Sequence, residues 1–162
     1  IHDIILGNQK NIVLVGMPGC GKSTLARLIS EKTGRECVDT DSLVELCGET
    51  IPQIFEKYGE TEFRNRETQA IKSVAKEQGR IIATGGGAIL RKENRTALRE
   101  NSTVIFLNAP IERLAKNGRP LSKDLETLIK MYEQRLPLYL ETADLTVDVD
   151  TDPEVTLRRI KL

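Results

Sequence analysis

Asn11-Ile12-Val13-Leu14-Val15-Gly16-Met17-Pro18-Gly19-Cys20-Gly21-Lys22-Ser23-Thr24 passes from a short apolar run into a loop holding three glycines, a lysine and two hydroxyls. The apolar run suits a strand buried on both faces. Beyond the loop, Leu25, Leu28 and Ile29 recur at helical spacing, and Gly34 gives that helix its C-terminal stop. Gly16-x-x-x-x-Gly21-Lys22-Ser23 fits the pattern GxxxxGK[ST] between a strand and a helix. Glycines let backbone N–H groups wrap a phosphate without side-chain obstruction, and the helix beginning near Lys22 adds its positive end. Lys22 is placed to reach β- and γ-phosphates, as an exposed loop lysine whose removal costs activity and leaves the fold. Ser23 offers its hydroxyl to Mg²⁺. Gly19, Cys20, Gly21, Lys22, Ser23 and Thr24 are therefore the expected contacts to a nucleoside triphosphate.

The same alternation continues along the chain. Further strands are expected at Glu36–Val38, Arg80–Thr84, Thr103–Leu107 and Leu145–Val149. Long helices are expected from about Glu60 to Gln78, ended by Gly79, and from about Lys123 to Leu140. Asp152-Pro153 reads as the N-cap and first residue of a short last helix. Short strands bracketed by helices mean a parallel sheet covered on both faces, hence one α/β domain over residues 1–162 with its ligand beyond the carboxyl ends of the strands.

Charge and cysteine content narrow the function. Lys plus Arg and Asp plus Glu each number 24, so no overall field points to nucleic acid or membrane. Cys20, Cys37 and Cys47 have no CxxC spacing and only His2 for company, which argues against a disulfide framework or a zinc site. A cytoplasmic, monomeric protein is expected.

Nucleotide loops serve switches, motors and kinases alike. Arg80–Thr84 and Thr103–Leu107 end without the carboxylate that usually closes a later strand in such proteins, and the guanine-reading NKxD signal is absent. The acids stand instead at Asp39-Thr40-Asp41, after the second strand, where one could face a metal-bound water and the other a substrate. The alternative is a polar turn capping a helix that starts at Ser42.

Phe63-Arg64-Asn65-Arg66-Glu67, Gly85-Gly86-Gly87, Arg119-Pro120-Leu121 and Arg135-x-x-x-Tyr139 complete the pattern. Together with the phosphate loop and Asp39-Thr40-Asp41, in this order, they resemble the shikimate kinases over essentially the whole chain. The resemblance implies a three-layer P-loop kinase fold like the nucleoside monophosphate kinases, with five parallel strands in the order 2-3-1-4-5 and a mobile lid at about 112–123. It implies ATP-dependent phosphorylation of shikimate to shikimate 3-phosphate, with Mg²⁺ as cofactor and the two small molecules as the only partners. Catalytic roles fall to Lys22, Asp41 and Arg119, the last also touching ATP. Asp41, Arg64, Gly86, Gly87 and Arg135 would bind shikimate, and Ser23, with Asp39 through water, would hold the metal. Guanidinium suits this reading because it grips a carboxylate with two parallel hydrogen bonds. Without the resemblance, Arg64 and Glu67 read as a solvated pair three residues apart on a helix, and the glycines as a flexible connection. Arg113 precedes Arg119 by six residues, one fewer than the family pattern, so the lid is a residue shorter and no adenine contact is assigned to Arg113.

Overall fold

A computed structural model describes residues 10–116 and 125–160. Strand β1 (Asn11–Val15) is buried along its whole length. It pairs in parallel with β3 (Ile81–Ala83), Ile12 opposite Ile81, and with β4 (Ser102–Asn108), Ile12 opposite Thr103. Strand β2 (Cys37–Asp39) joins β3 and strand β5 (Leu145–Asp148) joins β4, giving the order β2-β3-β1-β4-β5 that the resemblance implies. Sheets buried on both faces need apolar side chains on both, and Ile12 to Val15, Ile81 to Ala83 and Val104 to Leu107 supply them.

Helices flank the sheet. They are α1 (Lys22–Thr33), α2 (Thr40–Val44), α3 (Ile51–Tyr58), α4 (Glu60–Ala75), α5 (Lys92–Arg99), α6 (Ile111–Lys116), α7 (Leu125–Thr142) and α8 (Pro153–Ile160). Helix α1 packs on α8 and β3, whereas α5 and α7 pack on β4. Val44, Ile54 and Phe63 form a small second cluster that joins α2, α3 and α4 away from the main core. Thr50 opens α3 with a capping box, its hydroxyl accepting from the Gln53 N–H while the Gln53 side chain accepts from the Thr50 N–H. Among the described residues no helix is long and apolar enough to cross a membrane.

Two boundaries differ from the sequence reading, each for a visible reason. Helix α2 starts at Thr40, not Ser42, because Asp39 is its N-cap: Oδ1 accepts from the backbone N–H groups of Asp41 (2.9 Å) and Ser42 (3.4 Å). Helix α4 stops at Ala75, short of Gln78. The buried Asn11 side chain takes hold of the turn that follows, donating to the Glu77 carbonyl and accepting from the Arg80 N–H, both at 2.9 Å. Pro137 lies inside α7, where sequence periodicity gave no sign of it. It is tolerated on the exposed side, since the carbonyl it leaves without an N–H partner belongs to the exposed Glu133.

Gly34 ends α1 at φ 76° with its N–H on the Ser30 carbonyl, and a Cβ there would meet nothing within 4 Å. The cost of Gly34→Ala therefore comes from the left-handed backbone alone. It should lower unfolding stability by about 1 kcal/mol, read as a shift of the urea midpoint with an unchanged slope.

Candidate active site

The carboxyl ends of β1, β2 and β3 bring the candidate residues to one edge of the sheet. Gly16 leaves β1 where a Cβ would stand 2.7 Å from the Leu107 carbonyl oxygen and 2.8 Å from Cys20 Sγ. Only a residue without a side chain lets the loop lie this close to β4. Gly21, at φ 95°, turns the chain into α1.

Lys22 departs from the sequence reading. It is buried, 8% exposed, and its ammonium donates to the carbonyls of Gly16 (2.7 Å) and Met17 (2.9 Å) and to Cys20 Sγ (3.6 Å). The lysine thus closes the loop on itself, and it is part of the loop's own structure. Ser23 and Thr24 are exposed at the start of α1.

Ser23 Oγ donates to Asp39 Oδ2 at 3.0 Å. Asp39 therefore divides its two oxygens, one capping α2 as the alternative sequence reading has it and one held toward the serine. The donor set is hard oxygen from one hydroxyl and one carboxylate, and no cluster of three or more His, Cys, Asp or Glu occurs among the described residues. That suits Mg²⁺, which keeps several waters and takes one or two carboxylates together with substrate phosphates.

Asp41 is mostly buried behind this pair, and its Oδ1 has no hydrogen-bond partner. Burial, then the neighbouring Asp39 and Glu67 carboxylates, push its carboxyl up to about 6, against the opposing pull of Lys22. Glu67, 1% exposed, accepts from Arg64 Nη1 at 2.9 Å through Oε1, and its Oε2 is also unpaired. Burial lifts the Glu67 carboxyl above its ordinary value despite the Arg64 guanidinium. The pair is therefore a buried one, not the solvated pair that spacing alone suggests.

Gly85, Gly86 and Gly87 all keep ordinary negative φ or extended backbone, so space is what demands glycine here. A Cβ on Gly85 would stand 2.9 Å from Asp41 Oδ1 and 3.0 Å from Glu67 Oε2. One on Gly86 would stand 2.5 Å from Pro18 Cδ, and one on Gly87 2.6 Å from both terminal nitrogens of Arg64. The glycine turn is thus seated against the phosphate loop, the two acids and one candidate clamp arginine at once. Arg135, 9% exposed, is near enough to Glu67 and to the Tyr139 hydroxyl to act on both by its charge.

Beside the loop, a cleft of ≈ 230 Å³ runs from Cys20, Gly21 and Thr24 to Arg113, Thr151 and Pro153. Arg113 is tied there by Nη1 to the Val149 carbonyl at 2.8 Å. The sequence reading left Arg113 without a role and gave none to the Val149–Pro153 turn, which carries no motif. It also gave none to Glu67, although Phe63-Arg64-x-x-Glu67 set it one helical turn from Arg64. Arg119 and residues 117–123 of the lid segment lie outside the described residues.

Residues 18–161 match the family model described as shikimate kinase. The chain belongs to the shikimate kinase family. A shikimate kinase of Clostridium beijerinckii is 41% identical over 159 residues, covering 94% of each chain. The solved shikimate kinase of Acinetobacter baumannii, in complex with shikimate, is 36% identical with a TM-score of 0.87, over 94% of this chain and 91% of that one. The shikimate kinase of Aquifex aeolicus is 31% identical with a TM-score of 0.81, over 93% of each.

In this member of the shikimate kinase family, Asp41 makes the fold less stable as it ionises. Its pKa in the fold, about 6, lies above the ordinary 3.8, so the folded chain holds the proton more tightly than the unfolded one. The stabilisation is complete below pH 4 and is lost as pH rises to 6, amounting to about 3 kcal/mol. Asp41→Asn should therefore raise the melting temperature at pH 7 to 8, and the gain should vanish near pH 4. A gain that is equal at both pH values would show that the carboxylate is not under this strain.

Proposed function

We propose that this chain transfers the γ-phosphoryl group of ATP to a hydroxyl of shikimate, giving ADP and shikimate 3-phosphate in the route to chorismate and the aromatic amino acids. The observation that carries the reading is a mostly buried acid with an unpaired buried oxygen, Asp41, against a glycine turn that also meets Pro18 of the phosphate loop and the Arg64 guanidinium. An acceptor with hydroxyls at one end and a carboxylate at the other matches that arrangement. Its hydroxyls meet Asp41, and its carboxylate meets Arg64 and Arg135, with the backbone of Gly86 and Gly87 alongside.

Phosphoryl transfer asks the protein mainly to position the two partners and to neutralise spreading negative charge. Asp41, titrating near 6, is ionised at neutral pH yet basic enough to take the proton of the attacking hydroxyl. The acceptor oxygen then bonds to the γ-phosphorus as the bond to the β-phosphate oxygen breaks. Lys22 exchanges its carbonyl partners for phosphate oxygens, and Gly19, Cys20, Gly21 and Thr24 hold the phosphates. Ser23, and Asp39 through water, would hold Mg²⁺, which would neutralise charge on the phosphates. The adenine end of ATP lies in the cleft beside Arg113. Arg119, on the lid segment, adds positive charge to the transferring group, as the family resemblance implies.

Turnover should appear as ADP release that requires both shikimate and Mg²⁺, with little ATP hydrolysis when shikimate is omitted. Equal turnover with gluconate, or none with shikimate, would overturn the assignment. Arg64→Ala and Arg135→Ala should each weaken shikimate binding by roughly 2–5 kcal/mol, the cost of leaving a desolvated charge without its partner, and leave ATP binding nearly unchanged. Isothermal titration with each ligand separates the two effects. Lys22→Ala should abolish turnover and, because the Gly16 and Met17 carbonyls lose their donor, also lower the melting temperature.

A further inference from the structure

Tyr139 is fully buried, and its ring stacks on Phe106 of β4 with centroids 4.7 Å apart and planes 13° from parallel. A phenol this deep in the core needs partners for its hydroxyl. The partner it has is in the acceptor site. The hydroxyl donates to the Gly86 carbonyl at 2.7 Å, 53 residues away in sequence, and the Arg135 guanidinium is near enough to act on it by its charge. Gly86 is the middle glycine of the turn, pressed on its other side against Pro18 of the phosphate loop. Arg135 lies one helical turn before Tyr139 on α7, so one rigid side chain sets the distance between the clamp and the turn.

We propose that Tyr139 is a positioning residue for the acceptor. Its hydroxyl holds the Gly86 carbonyl to the helix that carries Arg135 one turn away, and its ring fixes that register to the sheet through Phe106. A tyrosine whose role was packing alone would do as well as phenylalanine, since the stack on Phe106 does not use the oxygen. With the oxygen, the acceptor finds the glycine turn already placed against the helix of Arg135, so less ordering remains to be done on binding. The phosphate loop keeps its own ties through Lys22, and the nucleotide side is unaffected. This inference rests on the acceptor site proposed above.

The test is Tyr139→Phe, which removes one oxygen and keeps the ring. With the full chain, the KM for shikimate should rise about fivefold, as for loss of one neutral hydrogen bond, while the KM for ATP and kcat stay within about twofold. Phe106→Leu, which loosens the stack and keeps the hydroxyl, should lower the melting temperature without that selective rise. Equal KM increases for both substrates in Tyr139→Phe, or a lowered melting temperature with unchanged KM, would overturn the positioning role. The wild-type assay decides the acceptor separately. Should it turn over a different carboxylate-bearing alcohol, the variant is compared on that acceptor, and the same split is expected. A wild type that turns over no such alcohol would overturn both readings.

Discussion

Three successive α-carbons after β3 have no room for a methyl group. Gly85 faces two carboxylate oxygens, Gly86 a proline ring and Gly87 a guanidinium, each so close that an added methyl group would displace it. This crowding is the constraint on which the site depends, because each neighbour comes from a different part of the chain. Asp41 follows β2, Glu67 and Arg64 stand on α4, and Pro18 belongs to the phosphate loop after β1. The glycines let three separately built pieces meet at distances that hydrogen bonding and ion pairing require.

The charges collected there do not favour the folded state. Asp41 and Glu67 each carry a buried oxygen without a partner, and both carboxyls are pushed upward by burial. Among the described residues only Glu67 of the two has an ion-pair partner, Arg64 at 2.9 Å, and removing a partner from such a pair is more damaging than never having had the pair. Stability is supplied elsewhere, by the apolar strands and by the cluster of Val44, Ile54 and Phe63 that fixes α2, α3 and α4 to one another. That division is common where a site is arranged for chemistry rather than for cohesion.

Much of the fold was legible because its signals are local. Apolar runs, Gly34 and Asp152-Pro153 each act within a few residues, and the strand positions came within a residue or two of the observed ones. The early end of α4 was not legible, because it is set by Asn11, 66 residues from the carbonyl it binds. In the site, the motif residues were readable and their environments were not. Nothing in Gly16–Ser23 says that Lys22 turns back onto two carbonyls of its own loop, since backbone oxygens are common to every sequence. Likewise Arg113 and the Val149–Pro153 turn face the loop only through the pairing of β4 with β5. The dual use of Asp39 escaped because one carboxylate has two oxygens, and sequence assigns a residue rather than an atom.

The strand order has a kinetic side. Strand β1 sits at the centre of the sheet, yet both strands that flank it come much later in the chain. Leu14 accepts from Thr84 across 70 residues, and Asn11 reaches Arg80 across 69. During synthesis the N-terminal strand and its loop therefore leave the ribosome long before their neighbours exist. Their apolar edges must wait, exposed or transiently covered, until β3 and β4 have been made. Parallel pairing at such separations raises contact order and slows the search for native contacts. The nucleotide loop, near the start of the sequence, is thus framed late, and a ribosome-bound fragment ending before β4 would have only one side of its central strand covered.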